Sequence, residues 1–404
     1  MLYLIDKLII VFLYVNILAP KVTIAFFPFG KLLIGLALFL YLLYAMTHSA
    51  DISTKSISYI FISITFISIL SLIGIFKGNQ ISNIINYITP IFILFTIPVF
   101  YSLFRLYNIE RYISHVLNAV VILALYICII FIFCGILNMR ELVSIINENL
   151  YFMSAVSYPP SGIRISVVTG GFLPIGLLIA YYFIIKKPAF RYYLFFAIIS
   201  FALYLSQTLI LWFCGVFVLL FFTFFRIRKI SSKMIAMIAL LIIIGLLAIT
   251  TPQDFIAYKE ESFIQKGKQI VLALDMFGNK PFLGEGLGYV YRSSIVPGAV
   301  SREENVVLEV SYAMILSSTG LIGVLFYSFI YLYYPFKFLL KKSKNLIMKL
   351  FFVSHLAVLI AGISNPYIWS GGMGLLFICF LSASMESPMQ SSDIHKVALV
   401  APLK

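Results

Sequence analysis

Three polar stretches hold most of the side chains in this chain that could do chemistry. The first runs from Lys266 through Asp275 and closes on Pro281-Phe-Leu-Gly284-Glu-Gly286-Leu-Gly288. The second begins Glu309-Val-Ser-Tyr312 and leads to Gly320-Leu-Ile-Gly323. The third is Asn365-Pro-Tyr-Ile-Trp369-Ser-Gly-Gly372. Eight of the fifteen acidic residues fall within 251–309, so carboxylates are the groups there that could take or give a proton. The glycines of 284–288 allow positive φ and let backbone approach something closely. They do not form a nucleotide fingerprint, because no strand precedes them and no helix start receives them in frame. No Asp-x-Asp pair is present, and Cys128, Cys134, Cys214 and Cys379 lie in apolar runs without metal or redox spacing.

The elements that must position these residues are set by composition. Of 404 residues, 62% are apolar and 11% charged, and the mean hydropathy is +1.06. A soluble domain has about 25% charged residues. Ordinary soluble enzymes, disordered chains and collagen-like fibres are therefore excluded. An all-α, polytopic membrane bundle is expected, with about twelve spans of roughly 20 residues each. The expected spans are 8–27, 31–47, 57–76, 84–104, 115–137, 170–185, 192–206, 208–225, 234–250, 306–332, 350–364 and 369–384. No small-residue cleavage site follows the first apolar run, which reads as a retained helix. About nine spans make an N-terminal bundle over 1–250. A loop over 251–305, a C-terminal helix group over 306–384 and a polar tail over 385–404 follow.

The net charge of +14 could suggest nucleic acid, but it sorts by membrane side. With the N-terminus inside, 18 basic residues fall inside and 11 outside, six of the latter in the long 251–305 loop. Long loops count little in the positive-inside rule. Both termini are expected in the cytoplasm, and no nucleic-acid partner is expected. The two long loops, 138–169 and 251–305, then lie on the outer face. Within the second, Gln265 to Met276 is amphipathic enough for a short helix along the membrane surface. The spans are almost empty of ionisable groups, which argues against a transporter. His355 alone lies well within a span and reads as a hydrogen-bonded packing residue. No histidine falls on the outer face.

In order, spacing and membrane side, these stretches resemble the O-antigen polymerase (Wzy-type) and O-antigen ligase superfamily of bacterial membrane glycosyltransferases. Lys266 stands fifteen residues before Pro281, where the family has an arginine before Pro-x-x-Gly-x-Gly. Glu309 stands eleven residues before Gly320, at the head of the helix that carries Gly-x-x-Gly. Arg164-Ile-Ser-Val-Val-Thr-Gly170-Gly and the Asn365-Pro turn fit the same pattern, so the likeness covers roughly 155–380. Three departures stand out. Lys266 replaces arginine, Ser206-Gln-Thr-Leu209 lacks an expected arginine, and Glu309 replaces the ligase histidine. The last favours polymerase over ligase.

The resemblance implies a GT-C-like fold in the bacterial inner membrane with its active site periplasmic. The large periplasmic loop would contain short helices. It implies a donor and an acceptor that are both undecaprenyl-pyrophosphate-linked oligosaccharides, the lipid bilayer as surrounding, and a chain-length regulator as partner. Arg164, Lys266, Arg292, Arg302 and Lys268 would hold pyrophosphate or glycan. Each could equally contact lipid headgroups. Glu309 would be the catalytic base, with Asp275 and Glu285 as alternates. An acid there also suits a helix N-terminus without any catalysis. Tyr289, Tyr291 and Tyr312 would stack on sugars or simply sit at the interface. Pro281, Gly284, Gly286 and Gly320 would shape the loop. No cofactor and no metal are expected. Ligation to lipid A core and flipping or transport of a lipid-linked sugar are the alternatives.

Overall fold

The computed structural model describes residues 1–18, 23–24, 27–47, 54–137, 139, 154–157, 164–167, 169–226, 253–292, 305–306, 308, 310–341, 345–363 and 373–386. Among them the chain is overwhelmingly helical. The helices are α1 (Leu2–Leu18), α2 (Phe29–Thr47), α3 (Thr54–Phe76), α4 (Ile81–Ile88), α5 (Ile97–Leu106), α6 (Ile109–Phe131), α7 (Phe172–Lys186), α8 (Phe190–Leu205), α9 (Leu209–Arg226), α10 (Gln253–Asn279), α11 (Ser311–Lys341), α12 (Leu346–Ala361) and α13 (Met373–Glu386). Three short antiparallel pairs join β1 (Thr23–Ile24) to β2 (Phe27–Pro28), β3 (Ser154–Ser157) to β4 (Arg164–Val167), and β5 (Tyr291–Arg292) to β6 (Asn305–Val306).

This is a helical membrane protein. Phe29–Thr47, Thr54–Phe76, Ile81–Leu106, Ile109–Ile136 and Ser311–Lys341 are each long and apolar enough to cross a bilayer. Helices overlie every expected span except 234–250, which lies outside the described residues. The expected tail from 387 on lies outside them too. The first span differs. Its helix starts at Leu2 and ends at Leu18, and Thr23–Ile24 pairs antiparallel with Phe27–Pro28. The fourth span is a composite in which a 3-10 segment (Thr89–Thr96) links α4 to α5. Pro90 lies in that segment and Pro98 begins α5, each removing an amide donor from the ladder.

Side chains that are apolar on every face go to the centre. Residues 375–385 of α13 and 172–180 of α7 are buried without a break. Around α13 pack α5, the 3-10 segment, α11 and α12, and α7 is surrounded by α6, α8, α9 and α12. Asn108 and Asn345 cap α6 and α12, accepting from Glu110 N at 2.9 Å and Ile347 N at 2.8 Å. The α8–α9 hairpin is as tight as the sequence suggests: Gln207 takes φ 43° in the turn, and Trp212 Nε1 donates back to Leu203 O at 2.6 Å. His355 is fully buried, with Nε2 2.8 Å from Tyr331 O, as expected of a packing residue.

One expectation about helix length is corrected. The amphipathic segment around 265–276 is not a short helix but part of the 27-residue α10, which packs against α11. Apolar residues at helical spacing, such as Leu272, Ala273 and Met276, carry that packing; Ala273 is fully buried.

Candidate functional site

The polar stretches at 280–291 and 317–322 meet in the structure, and backbone chemistry explains why. α11 is one helix by length but is broken at Gly320 (φ 61°, ψ −161°). A break orphans the amides just after it, which can no longer reach back four residues. In an apolar surrounding such groups must find other partners. The Pro281–Gly288 turn supplies them. Leu321 N donates to Pro281 O at 2.8 Å and Ile322 N to Phe282 O at 3.2 Å. Ser317 O, which Leu321 would have used in an unbroken helix, accepts from Glu285 N at 2.9 Å. The exchange is reciprocal, and we refer to it as the clasp.

Two glycines make this approach possible. A Cβ on Gly284 (φ 55°) would lie 2.6 Å from Ser317 O and 2.7 Å from Gly320 N. A Cβ on Gly320 would lie 2.5 Å from Phe282 C and 2.7 Å from Gly284 N. No side chain fits between backbones that close.

A third segment, which sequence reasoning did not connect to the others, holds the turn from the opposite side. It is the α3–α4 corner. Asn79 Nδ2 donates to Glu285 O at 3.2 Å and Leu287 O at 3.1 Å, and Lys77 Nζ donates to Gly284 O. Gly286 lies over Gly74 and Asn79, and its Cβ would come within 2.8 Å of the Asn79 amide. Tyr87 OH reaches Tyr289 O at 3.4 Å. Lys77-Gly-Asn79 reads in sequence only as a polar turn, and its partners lie more than 200 residues away.

The clasp fixes one charged pair. Lys280 Nζ and Glu285 Oε2 are 2.6 Å apart, with the lysine half exposed and the carboxylate mostly covered. A carboxylate held beside an ammonium at a rigid backbone turn can accept a proton or orient a hydroxyl. From the clasp α3 runs away along an apolar groove of about 420 Å³, lined among others by Ile60, Ile67, Leu72, Ile88, Phe92 and Phe95.

The expected site residues divide. Pro281, Gly284, Gly286 and Gly320 all lie in the clasp, where what they approach is the protein itself: the backbone of the facing stretch and the Asn79 side chain. Tyr291 belongs to it as structure: it is buried, and its hydroxyl bonds Ser317 Oγ. Burial pushes its phenol well above the ordinary range. It has no open face for a sugar. Tyr289 is half buried and packs edge-on to Tyr291, with ring centroids 5.1 Å apart. Tyr312 is half exposed and donates to Leu359 O at 2.7 Å. Lys266 and Lys268 are not brought to the clasp. Thirteen helical residues separate Lys266 from Asn279, about 20 Å along α10. Asp275 is exposed on the same helix. Arg164 sits in β4 opposite Ser157, and Arg292 in β5 opposite Asn305. Glu309, Arg302 and the 365–372 turn lie outside the described residues. Leu308 and Val310 are buried, and Ser311 N, the first amide of α11, donates to Gly362 O at 3.2 Å.

Ionisable groups that the sequence placed in loops turn out to be buried at the other end of the helices. Asp6 is fully buried, 2.8 Å from Arg111 Nη2 and 2.6 Å from Tyr112 OH. Glu110 pairs with Lys186, lies 3.7 Å from Lys187 Nζ, and accepts from Tyr182 OH at 3.0 Å. Glu386 accepts from Ser56 OH at 2.6 Å and Tyr334 OH at 3.0 Å, with Lys337 at 3.9 Å. α3 spans the molecule, with Ser56 at this basic end and Gly74 at the clasp. The helical rise between them puts the two about 27 Å apart.

No family model matches the chain, and no curated protein matches it.

Proposed function

We propose that this membrane protein is a polysaccharide polymerase that acts on lipid-linked glycans at the clasp end of the bundle, taken as the periplasmic face. The observation that carries the reading is the clasp. It joins the two motif-bearing stretches, Pro281–Gly288 and Gly320–Gly323, in one rigid turn beside an acid–lysine pair, and the α3 helix that reaches it lines an apolar groove from Ile60 to Leu72. Such a groove suits a polyprenyl chain, and the turn sets a fixed floor for a headgroup.

In the proposed step a sugar hydroxyl of the incoming repeat loses its proton to a carboxylate. Its oxygen attacks the anomeric carbon of the donor chain. The bond from that carbon to the pyrophosphate oxygen breaks, and undecaprenyl pyrophosphate leaves with the electron pair. Glu309 is the proposed base, and Glu285 is the carboxylate the clasp already holds in place. Arg164 and Arg302 are proposed to neutralise the leaving pyrophosphate, a role the distance along α10 takes from Lys266. The transfer needs no metal, and activity is expected to survive chelator.

Glu309→Ala and Arg164→Ala, each tested in cells lacking the native copy, should abolish long-chain polysaccharide. Persistence of long chains in both would sink the assignment. Purified protein in liposomes should lengthen defined lipid-linked repeats; translocation without lengthening would favour a flippase. Against that alternative, the buried acids Asp6, Glu110 and Glu386 lie within about two turns of a helix end and not at mid-span.

A further inference from the structure

One face of α10 is left over from the packing of the bundle. The helix turns Leu272, Ala273 and Met276 inward and packs against α11. Phe263, Ile264, Ile270, Val271 and Leu274 are all exposed. At 3.6 residues per turn these five fall within about one-third of the circumference, on the side away from Ala273. Gly267 and Gly278 fall on the same arc, and a Cβ on either would meet nothing within 4 Å. Glu261, Lys268 and Asp275, spaced by sevens and exposed, line one edge of the arc, and exposed Glu260 closes its far end. The helix therefore has three strips: one packed on protein, one charged, and one apolar and exposed.

The clasp sets the depth at which the apolar strip begins. α3 and α11 are each long and apolar enough to cross a bilayer. α3 meets the clasp at Gly74, and Leu72, Ile75 and Phe76 are exposed on either side of that contact. α11 meets it at 320–322 and exposes Leu321 and Leu325 there. Phe282, whose carbonyl takes the Ile322 amide, is exposed as well. The apolar surface of two spans thus reaches the turn, and α10 ends at Asn279, two residues before Pro281. From Phe282 the exposed surface passes Gly278, where no side chain interrupts it, to Leu274 one turn further on. In water such a continuous run of large apolar side chains would be unfavourable, unlike single exposed ones.

We infer that α10 lies in the bilayer surface at the clasp end, its apolar strip against lipid acyl chains and Glu261, Lys268 and Asp275 along the water edge. A helix with an apolar and a charged face settles at an interface in this way. The occupant is lipid because the strip continues a surface that two spans already present to lipid. Sequence suggested a helix along the membrane surface; the structure shows which side of it is free to meet the membrane. The Lys280–Glu285 pair, held by the next turn of chain, then lies at headgroup depth, whichever reaction the protein carries out.

The test uses the full chain in vesicles of phosphatidylethanolamine and phosphatidylglycerol. Single nitroxide labels are placed on the strip through I264C, V271C and L274C, and on the charged edge through E261C, K268C and D275C. The signal of the unsubstituted chain, whose cysteines are buried or half buried, is subtracted. All six positions are exposed, so labelling displaces no packing, and circular dichroism should match the native spectrum. Each label is read for collisions with oxygen, which concentrates in lipid, and with a water-soluble nickel chelate present on both sides of the membrane. The strip labels should collide severalfold more with oxygen than with the chelate, and the edge labels should show the reverse. Frequent chelate collisions on the strip would put it in water and overturn the proposal. Collisions with neither reagent would mean that protein covers it, a second copy or another segment, and would overturn it equally. An excess of oxygen at both sets would remove the water edge and reject the surface placement.

Discussion

The two ends of the helix bundle are held by different chemistry. At the clasp end, amides and carbonyls of 281–288 and 317–322 bond each other directly, and the side chains that matter most are those that are missing. At the basic end, three buried carboxylates collect lysine, arginine, tyrosine and serine partners from other helices. A backbone join has one geometry and little tolerance. A carboxylate with several partners can lose one and keep the rest. The first arrangement suits a surface that must stay fixed, the second a surface that can adapt to the headgroups around it.

That contrast can be broken by substitution, and the largest effect should come from Gly320. Gly320→Ala places a Cβ against Phe282 in a positive-φ site and should cost about 3 kcal/mol, combining backbone strain with overpacking. Thermal unfolding in detergent measures it, and a loss below about 1 kcal/mol would show that the clasp is looser than described. Asp6→Ala should cost about 2 kcal/mol, less than the removal of a fully enclosed partner, because Arg111 is one-third exposed and can turn to water. An effect larger than that of Gly320→Ala would invert the comparison.

Tyr291→Phe should cost about 1 kcal/mol near neutral pH, since Ser317 Oγ keeps its bond to Ala313 O at 2.8 Å. Its signature lies at alkaline pH. Burial raises the phenol in the folded state, so the unfolded chain releases the proton first. The contribution of Tyr291 is intact below the ordinary tyrosine value near 10 and is lost as pH rises above it. Alkaline denaturation should therefore be shallower in Tyr291→Phe than in the native chain; identical curves would mean that Tyr291 is open to solvent. Smallest of all, Lys187→Gln should change stability by less than about 0.5 kcal/mol, because Lys187 is mostly exposed and Lys186 remains on Glu110. A larger loss would mean that the basic end is as brittle as the clasp.

Hydropathy made most of the helices legible, because a bilayer leaves few alternatives to a run of twenty apolar residues. Glycine content flagged the 284–288 turn and Gly320 as places of close approach. What they approach could not be read, since Lys77 and Asn79 belong to a segment made of ordinary turn residues. The buried acids escaped for a related reason. Asp6 and Glu110 sit near helix ends, where a charge reads as solvated, and only Arg111 and Lys186 arriving from other helices make burial affordable. α10 was underestimated because its Gly267 and Gly278 and its charged first half weaken the periodic signal that packing against α11 then overrides.

The break at Gly320 also bears on the order in which the protein is made. Ribosomes deliver the α3–α4 corner first, the Pro281–Gly288 turn next and Leu321 and Ile322 after that. The carbonyls that will receive those two amides thus exist before the amides do. An α11 formed before the turn docks against it would keep its amides in an unbroken ladder, with Leu321 bonded to Ser317. Closing the clasp from that ladder is an exchange of backbone partners: Leu321 N gives up Ser317 O for Pro281 O, and Glu285 N takes the carbonyl it leaves.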